Sequence, residues 1–200
     1  MTSNNLDQLA MDAINEYLEL AEYAIKTSRQ EGSDSCYGNA VLLLLSSVLD
    51  AIGSYYSYCK KDKKTRKTID NKKGRFVSFQ SLPDFEDRKN VREHFKQVYK
   101  HYIHNQNDNC GYTSETMFIN DFYHNLRCGV THNAVFSDGK VVMYSNTDHS
   151  NKTLNINDLF KMVKRVSDDF FTKNASTFTF NDNPNEPETG YTPSNNVSQN

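Results

Sequence analysis

Apolar residues recur at Leu6, Leu9, Ala13, Tyr17, Leu20 and Ala24, with Ala10, Ile14, Leu18, Ala21 and Ile25 beside them. This spacing predicts an amphipathic helix of about six turns. Asp12, Glu16, Glu19 and Glu22 form its wet side. The turn chemistry of Glu31 to Ser35 should end it near Arg29. A second helix is expected over Gly38 to Tyr58. It is apolar nearly all round, which marks a helix buried on several sides and makes it the centre of a bundle. Asp50 breaks that apolar stretch, and a carboxylate there needs a partner or a cleft.

Phe76 to Leu82 is apolar and ambiguous, and Pro83 closes it. A third helix follows from Asp84 through Val91, Phe95, Val98, Tyr99 and Tyr102, with His94, Gln97, His101 and His104 as a polar, exposed face. A fourth starts near Thr113 or Ser114, with Ser114 as N-cap and Glu115 at the positive end of the helix dipole. Its apolar face is Phe118, Ile119, Phe122, Leu126 and Val130. Asp138-Gly139 between two short β-rich runs, Ala134 to Ser137 and Lys140 to Tyr144, predicts a β-hairpin. A last helix, from about Asn157 to Thr172, presents Leu159, Phe160, Val163, Val166 and Phe170. The expected fold is mainly α: an up-down bundle of about five helices over residues 1–180, with a small hairpin after the fourth helix. Residues 181–200 have almost no apolar content, and a disordered tail is expected there.

Charge changes the picture locally and not globally. The net charge is −2 with His neutral. Residues 60–75 nevertheless hold nine Lys or Arg against two Asp, a local charge of +7 (9 − 2). Such a run cannot be core, and a mobile basic loop over about 59–75 is expected. Lys60, Lys61, Lys63, Lys64, Arg66, Lys67, Lys72, Lys73 and Arg75 are candidates to track a phosphate backbone. No aromatics interleave them, so base stacking is not indicated. The apolar run Ala40–Ile52 is shorter than the ~20 residues that span a bilayer, so no membrane partner is expected. Met1 to Asp7 lacks a signal-peptide pattern, and Cys36, Cys59, Cys110 and Cys128 form no paired motif. Reduced thiols and a cytoplasmic location are the expectation.

Candidate chemistry concentrates at the end of the fourth helix, in Leu126-Arg127-Cys128-Gly129-Val130-Thr131-His132. Arg127 and His132 lie five residues apart, about 140° in azimuth on an ideal α-helix. They converge only if the helix loosens, as near Gly129, or if two copies of the chain share a cleft. This segment resembles the HEPN superfamily of helical domains, whose hallmark is an Arg followed by four to six residues and a His late in a bundle helix. The apolar helix with Asp50 is similar to that family's earlier core helix, where an acidic residue often faces the same cleft. In active members an Asn, Asp or His often follows the Arg, whereas this chain has Cys128.

The resemblance implies a HEPN-like homodimer with metal-independent endoribonuclease activity, of the kind used in stress, toxin or phage-defence systems. Arg127 would bind the phosphate, His132 would act as general acid or base, and Asp50 would orient one of them. The physical case is independent: cleavage through the 2′-OH needs a group titrating near neutral pH and a fixed cation at the phosphate. An alternative keeps the fold without the chemistry, Arg127 pairing with Asp50 inside the bundle. The chain would then be a dimerising module binding a nucleotide or a protein partner such as a cognate antitoxin. His124, three residues before Arg127, lies on the same α-helical stripe and rivals His132. His94, Gln97, His101 and His104 have no recognised ligand spacing, so no metal or cofactor is expected. No nucleotide-binding glycine loop or serine nucleophile motif occurs.

Overall fold

The computed structural model describes residues 6–27, 38–57, 59–62, 64–65, 67–78, 91–130, 141–143 and 153–175. Within them the protein is mainly helical. The elements are α1 (Leu6–Lys26), α2 (Gly38–Ser54), β1 (Cys59–Lys61), β2 (Thr68–Asn71), α3 (Val91–Val98), α4 (Glu115–Ile119), β3 (Val141–Met143), β4 (Thr153–Asn155) and α5 (Ile156–Asn174). Two further segments are wound as π-helix: Tyr99–Ile103, which continues α3, and Asn120–Val130, which continues α4 and carries the Arg127 motif.

The central position of α2 follows from its sequence. Val41, Leu42, Leu45, Val48, Leu49 and Ile52 are all completely buried, and α2 packs against α1, α3, α5 and the motif helix. On α1 one of the two apolar stripes reaches the core, Ile14, Leu18, Ala21 and Ile25, while Leu9, Tyr17, Leu20 and Tyr23 stay in solvent. Ser114 caps α4 as expected, its hydroxyl accepting from the Met117 amide at 3.2 Å. Asn155 caps α5, accepting from the amides of Asn157 and Asp158 at 2.9 and 3.2 Å. Phe95, Phe118 and Phe122 fill the space between α3 and the motif helix, with Phe118 and Phe122 4.7 Å apart centre to centre.

The basic stretch is not a structureless loop in its described residues. Strands β1 and β2 pair antiparallel, Cys59 opposite Asn71 and Lys60 opposite Asp70, with an irregularity between Lys60 and Lys61. Asp62 organises the turn: one carboxylate oxygen accepts from the Lys64 and Thr65 amides at 3.0 and 2.6 Å and from the Thr65 hydroxyl at 2.9 Å. Those bonds to Thr65, the backbone one foremost, hold the Asp62 carboxyl below its usual range. The ribbon is then stitched to the end of α2, where the Gly74 amide donates to Tyr56 O at 2.7 Å and the Val77 amide to Tyr55 O at 2.9 Å. Gly74 sits at φ 79°, a conformation that glycine tolerates.

Strand β3 pairs with β4 in parallel register, Val141 opposite Thr153. The other arm of the expected hairpin, and its Asp138-Gly139 turn, lie outside the described residues, as does the expected tail at 181–200.

Candidate functional site

The polar face expected on the third helix is exposed only at its end: His104 is exposed and His101 half-buried, whereas His94 and Gln97 are buried. His94 is 4% exposed and Gln97 3%, because the Phe95 and Val98 side of this short helix cannot be buried against α2 and the motif helix without carrying its neighbours inward. Gln97 donates to Glu93 at 2.8 Å, satisfying both on the helix itself. His94 meets Asp50 instead, with Nδ1 2.6 Å from Oδ1. With the carboxylate as acceptor, the proton of this contact sits on Nδ1. Nε2 is buried and has no hydrogen-bond partner among the described residues.

Gly53 makes this contact possible. A Cβ at that position would lie 2.3 Å from His94 O and 2.6 Å from His94 Cα. The α2 and α3 backbones therefore cross at a distance only glycine allows. Asp50 is one helical turn before Gly53 on the same face, which sets its carboxylate against the His94 ring. The Asp50 side chain keeps 23% of its exposure against 5% for His94, so it is the outer member of the pair.

The motif helix packs on both α2 and α3. Arg127 is a backbone position on its π-wound part; its side chain and those of Cys128 and Val130 are not described, and His132 lies outside the described residues. The winding nevertheless alters the expected geometry. Hydrogen bonds in a π-helix run to the fifth residue along, so positions five apart lie closer in azimuth than on an α-helix and positions three apart lie further from one another. His124 is thereby turned off the Arg127 stripe that an α-helix would give it. It is exposed, with its ring against Tyr123 at 4.8 Å.

The basic ribbon enters the same neighbourhood. Lys73 pairs with Glu93 at 3.1 Å, and Glu93 directly precedes His94. Lys72 lies 3.9 Å from Asp70. These two cations are thus partly committed inside the protein, while Lys64, Lys67 and Arg75 are exposed. Lys60 and Lys61 are described as strand positions only, and Lys63 and Arg66 are not described.

A second polar cluster lies at the far end of α2. The Tyr56 and Tyr102 hydroxyls meet at 2.5 Å, and Asn174 Nδ2 stands 3.2 and 3.3 Å from them and donates to Phe170 O at 2.8 Å. Burial raises the pKa of both phenols, and His101 stacks on Tyr56 at 4.4 Å. Arg165 ties the neighbouring loop down through Asp108 at 2.6 Å and Tyr102 O at 3.0 Å. In that loop the Cys110 thiol donates to Asp158 O, and desolvation, then Asp158 and Asp108, push its pKa up to about 12, which disfavours the thiolate. No group of His, Cys, Asp and Glu among the described residues has the geometry to hold a metal ion. No helix among them is long and apolar enough to cross a membrane.

Among the expected site residues whose side chains are described, Asp50 is brought into polar contact with a histidine, His94, and Lys73 with Glu93 beside it. The sequence reading passed over His94. The Asp50–Gly53 spacing in an otherwise apolar helix was its available signal. No family model, curated protein or solved structure matches this chain.

Proposed function

We propose that the protein is a HEPN-like, metal-independent endoribonuclease. Arg127 binds the phosphate and stabilises its developing charge through a planar, bidentate fork. His132 moves the proton at the 2′-OH or the leaving oxygen, and Asp50 orients the cationic partner. The observation that carries the reading is the Asp50–His94 contact, a partly exposed carboxylate held at 2.6 Å between α2 and α3. The ribbon of exposed lysines, tied by Lys73 to the residue beside His94, supplies the charge that gathers a polyanion.

The test is incubation of the pure chain with total RNA in EDTA. Cleavage is expected for the wild type. His132→Ala should lose about 10²- to 10⁴-fold, the usual worth of a general acid–base group, with His124→Ala near wild type. An inert wild type, or loss in His124→Ala and not in His132→Ala, would sink the assignment.

One observation favours the second reading, a non-catalytic module that dimerises or binds a protein partner such as an antitoxin. Leu9, Leu20 and Tyr23 are exposed along the outer face of α1, Tyr23 by 70%. An apolar stripe rimmed by Asp12, Glu16 and Glu19 suits a protein surface better than RNA. Light scattering at micromolar concentration separates a dimer from a monomer.

A further inference from the structure

Exposed apolar surface gathers on two elements. Six large apolar side chains stay exposed among the described residues. Leu9, Tyr17, Leu20 and Tyr23 lie on α1 and Ile69 on β2, so five of the six belong to α1 or to the basic ribbon. The charges beside them are opposite in sign. The α1 stripe is flanked by Asp12, Glu16 and Glu19, all exposed. The ribbon that carries Ile69 exposes Lys64, Lys67 and Arg75. Lys72 and Lys73 pair with Asp70 and Glu93, and Glu22 with Lys26, but none of those three acids or three cations joins an ion pair among the described residues. RNA accounts for the cations alone. It leaves Ile69 and the α1 stripe uncovered, and the acids of α1 repel a polyanion.

The two surfaces adjoin in one molecule. Ser78, just past the ribbon, donates its hydroxyl to the Asp7 carboxylate in the first turn of α1, and both residues are buried. An acidic and a basic surface that share a seam are complementary to themselves. A twofold axis at the seam lays α1 of each copy on the ribbon of the other, and the interface closes with two equal contacts. We propose that a second copy of this chain covers the outer face of α1 in this way, its Ile69 meeting the apolar stripe and its Lys64, Lys67 and Arg75 facing Asp12, Glu16 and Glu19. The opposite charges set the register and keep α1 from docking on another α1. The proposal names the occupant of the α1 face noted above and stands whether or not the protein cleaves RNA.

Charge reversal tests the pairing on the full chain by analytical ultracentrifugation. The wild type should be a dimer at micromolar concentration and dissociate as salt rises, because exposed charges are screened beyond about 10 Å at 0.1 M and about 3 Å at 1 M. Glu16→Lys with Glu19→Lys sets cation against cation and should give monomers. Lys64→Glu with Lys67→Glu sets acid against acid and should do the same. An equimolar mixture of the two variants should recover the dimer through both contacts, and one chain carrying all four substitutions should dimerise by itself. All four positions are exposed, so melting curves like that of the wild type are expected throughout. Should a reversed chain fail to fold, Tyr23→Ser and Ile69→Ser carry the test. Each should weaken the dimer about 10-fold or more, the scale of one buried apolar side chain, and a dimer indifferent to both overturns the proposal. A monomeric wild type, a dimer that survives either reversal, or folded monomers that stay apart on mixing overturns it as well. A ribbon reversal that abolishes RNA binding and leaves the dimer intact would give the ribbon to RNA alone.

Discussion

The two polar clusters buried along α2 are built on opposite principles. At its C-terminal end, Tyr56, Tyr102 and Asn174 satisfy one another, and Asn174 also reaches a main-chain carbonyl. Such a closed network locks α2, the turn after α3 and α5 in one arrangement. One turn before Gly53, the Asp50–His94 pair is open. One nitrogen is orphaned in the core, and the carboxylate faces partly outward. A closed network is explained by the fold it holds. An open one costs about 1–3 kcal/mol of desolvation that the fold does not recover, and that cost points to a use at the surface the pair serves.

The sharpest way to break the comparison is at the crossing itself. Gly53→Ala would drive a methyl into the His94 main chain, where no flexible side chain can yield. Separation of α2 from α3 is expected, with a loss of about 3 kcal/mol in unfolding free energy, at the upper end of overpacking costs. Urea denaturation with an unchanged slope would measure it. A near-neutral result would mean that the helices do not cross this closely and that the Asp50–His94 contact is looser than it stands here.

Next in size is the closed network. Tyr102→Phe leaves the ring in the core and removes one hydroxyl, so Tyr56 and Asn174 lose a partner while packing is kept. The expected loss is about 1–2 kcal/mol by thermal or chemical unfolding, with no change in RNA cleavage. A cleavage defect in this variant, at full folding, would erase the distinction between the two clusters.

The apolar frame was legible in the sequence; of the polar clusters, Asp50 stood out within its apolar helix, while Tyr56, Tyr102 and Asn174 gave no sign of their network. Helix α2 announces itself because Val41 to Ile52 is apolar on nearly every side, and Ser114 marks the start of α4 because its hydroxyl supplies what the first turn lacks. The ribbon at 59–71 was hidden by its charge: six cations outweigh the short β-prone Thr68-Ile69, and the Asp62 turn that closes it reads as one more polar residue. The π winding was hidden for a different reason. Phe118, Phe122 and Leu126 recur every four residues, which passes for α-helix, yet each step of four drifts by about 40° on an α-helix. All three are fully buried. His94 was misjudged because its neighbours Gln97, His101 and His104 are polar too. Only the glycine one turn after Asp50 hints that a second backbone passes close enough to bury it.

The smallest expected effect is a pH dependence at the rim of the closed network. His101 stacks on Tyr56, and burial first, then Lys173 and Lys100, lower its pKa from the ordinary 6.5. The folded protein therefore binds fewer protons at this site than the unfolded chain whenever the pH lies between the lowered and the ordinary value. Stability then rises with pH across that window. The contribution is complete above about pH 6.5, the unfolded value, and is lost as the pH falls through the folded one. Melting temperatures from pH 7.5 down to 5 should accordingly fall more steeply for the wild type than for His101→Gln, which carries no titrating ring. Lys173→Gln, which removes a cation that also lies 5.5 Å over the Tyr102 ring, should flatten the wild-type slope part of the way. Parallel curves for wild type and His101→Gln would show that His101 is as easily protonated folded as unfolded. The aromatic end of α2 would then be open to water in the way that this comparison reserves for Asp50.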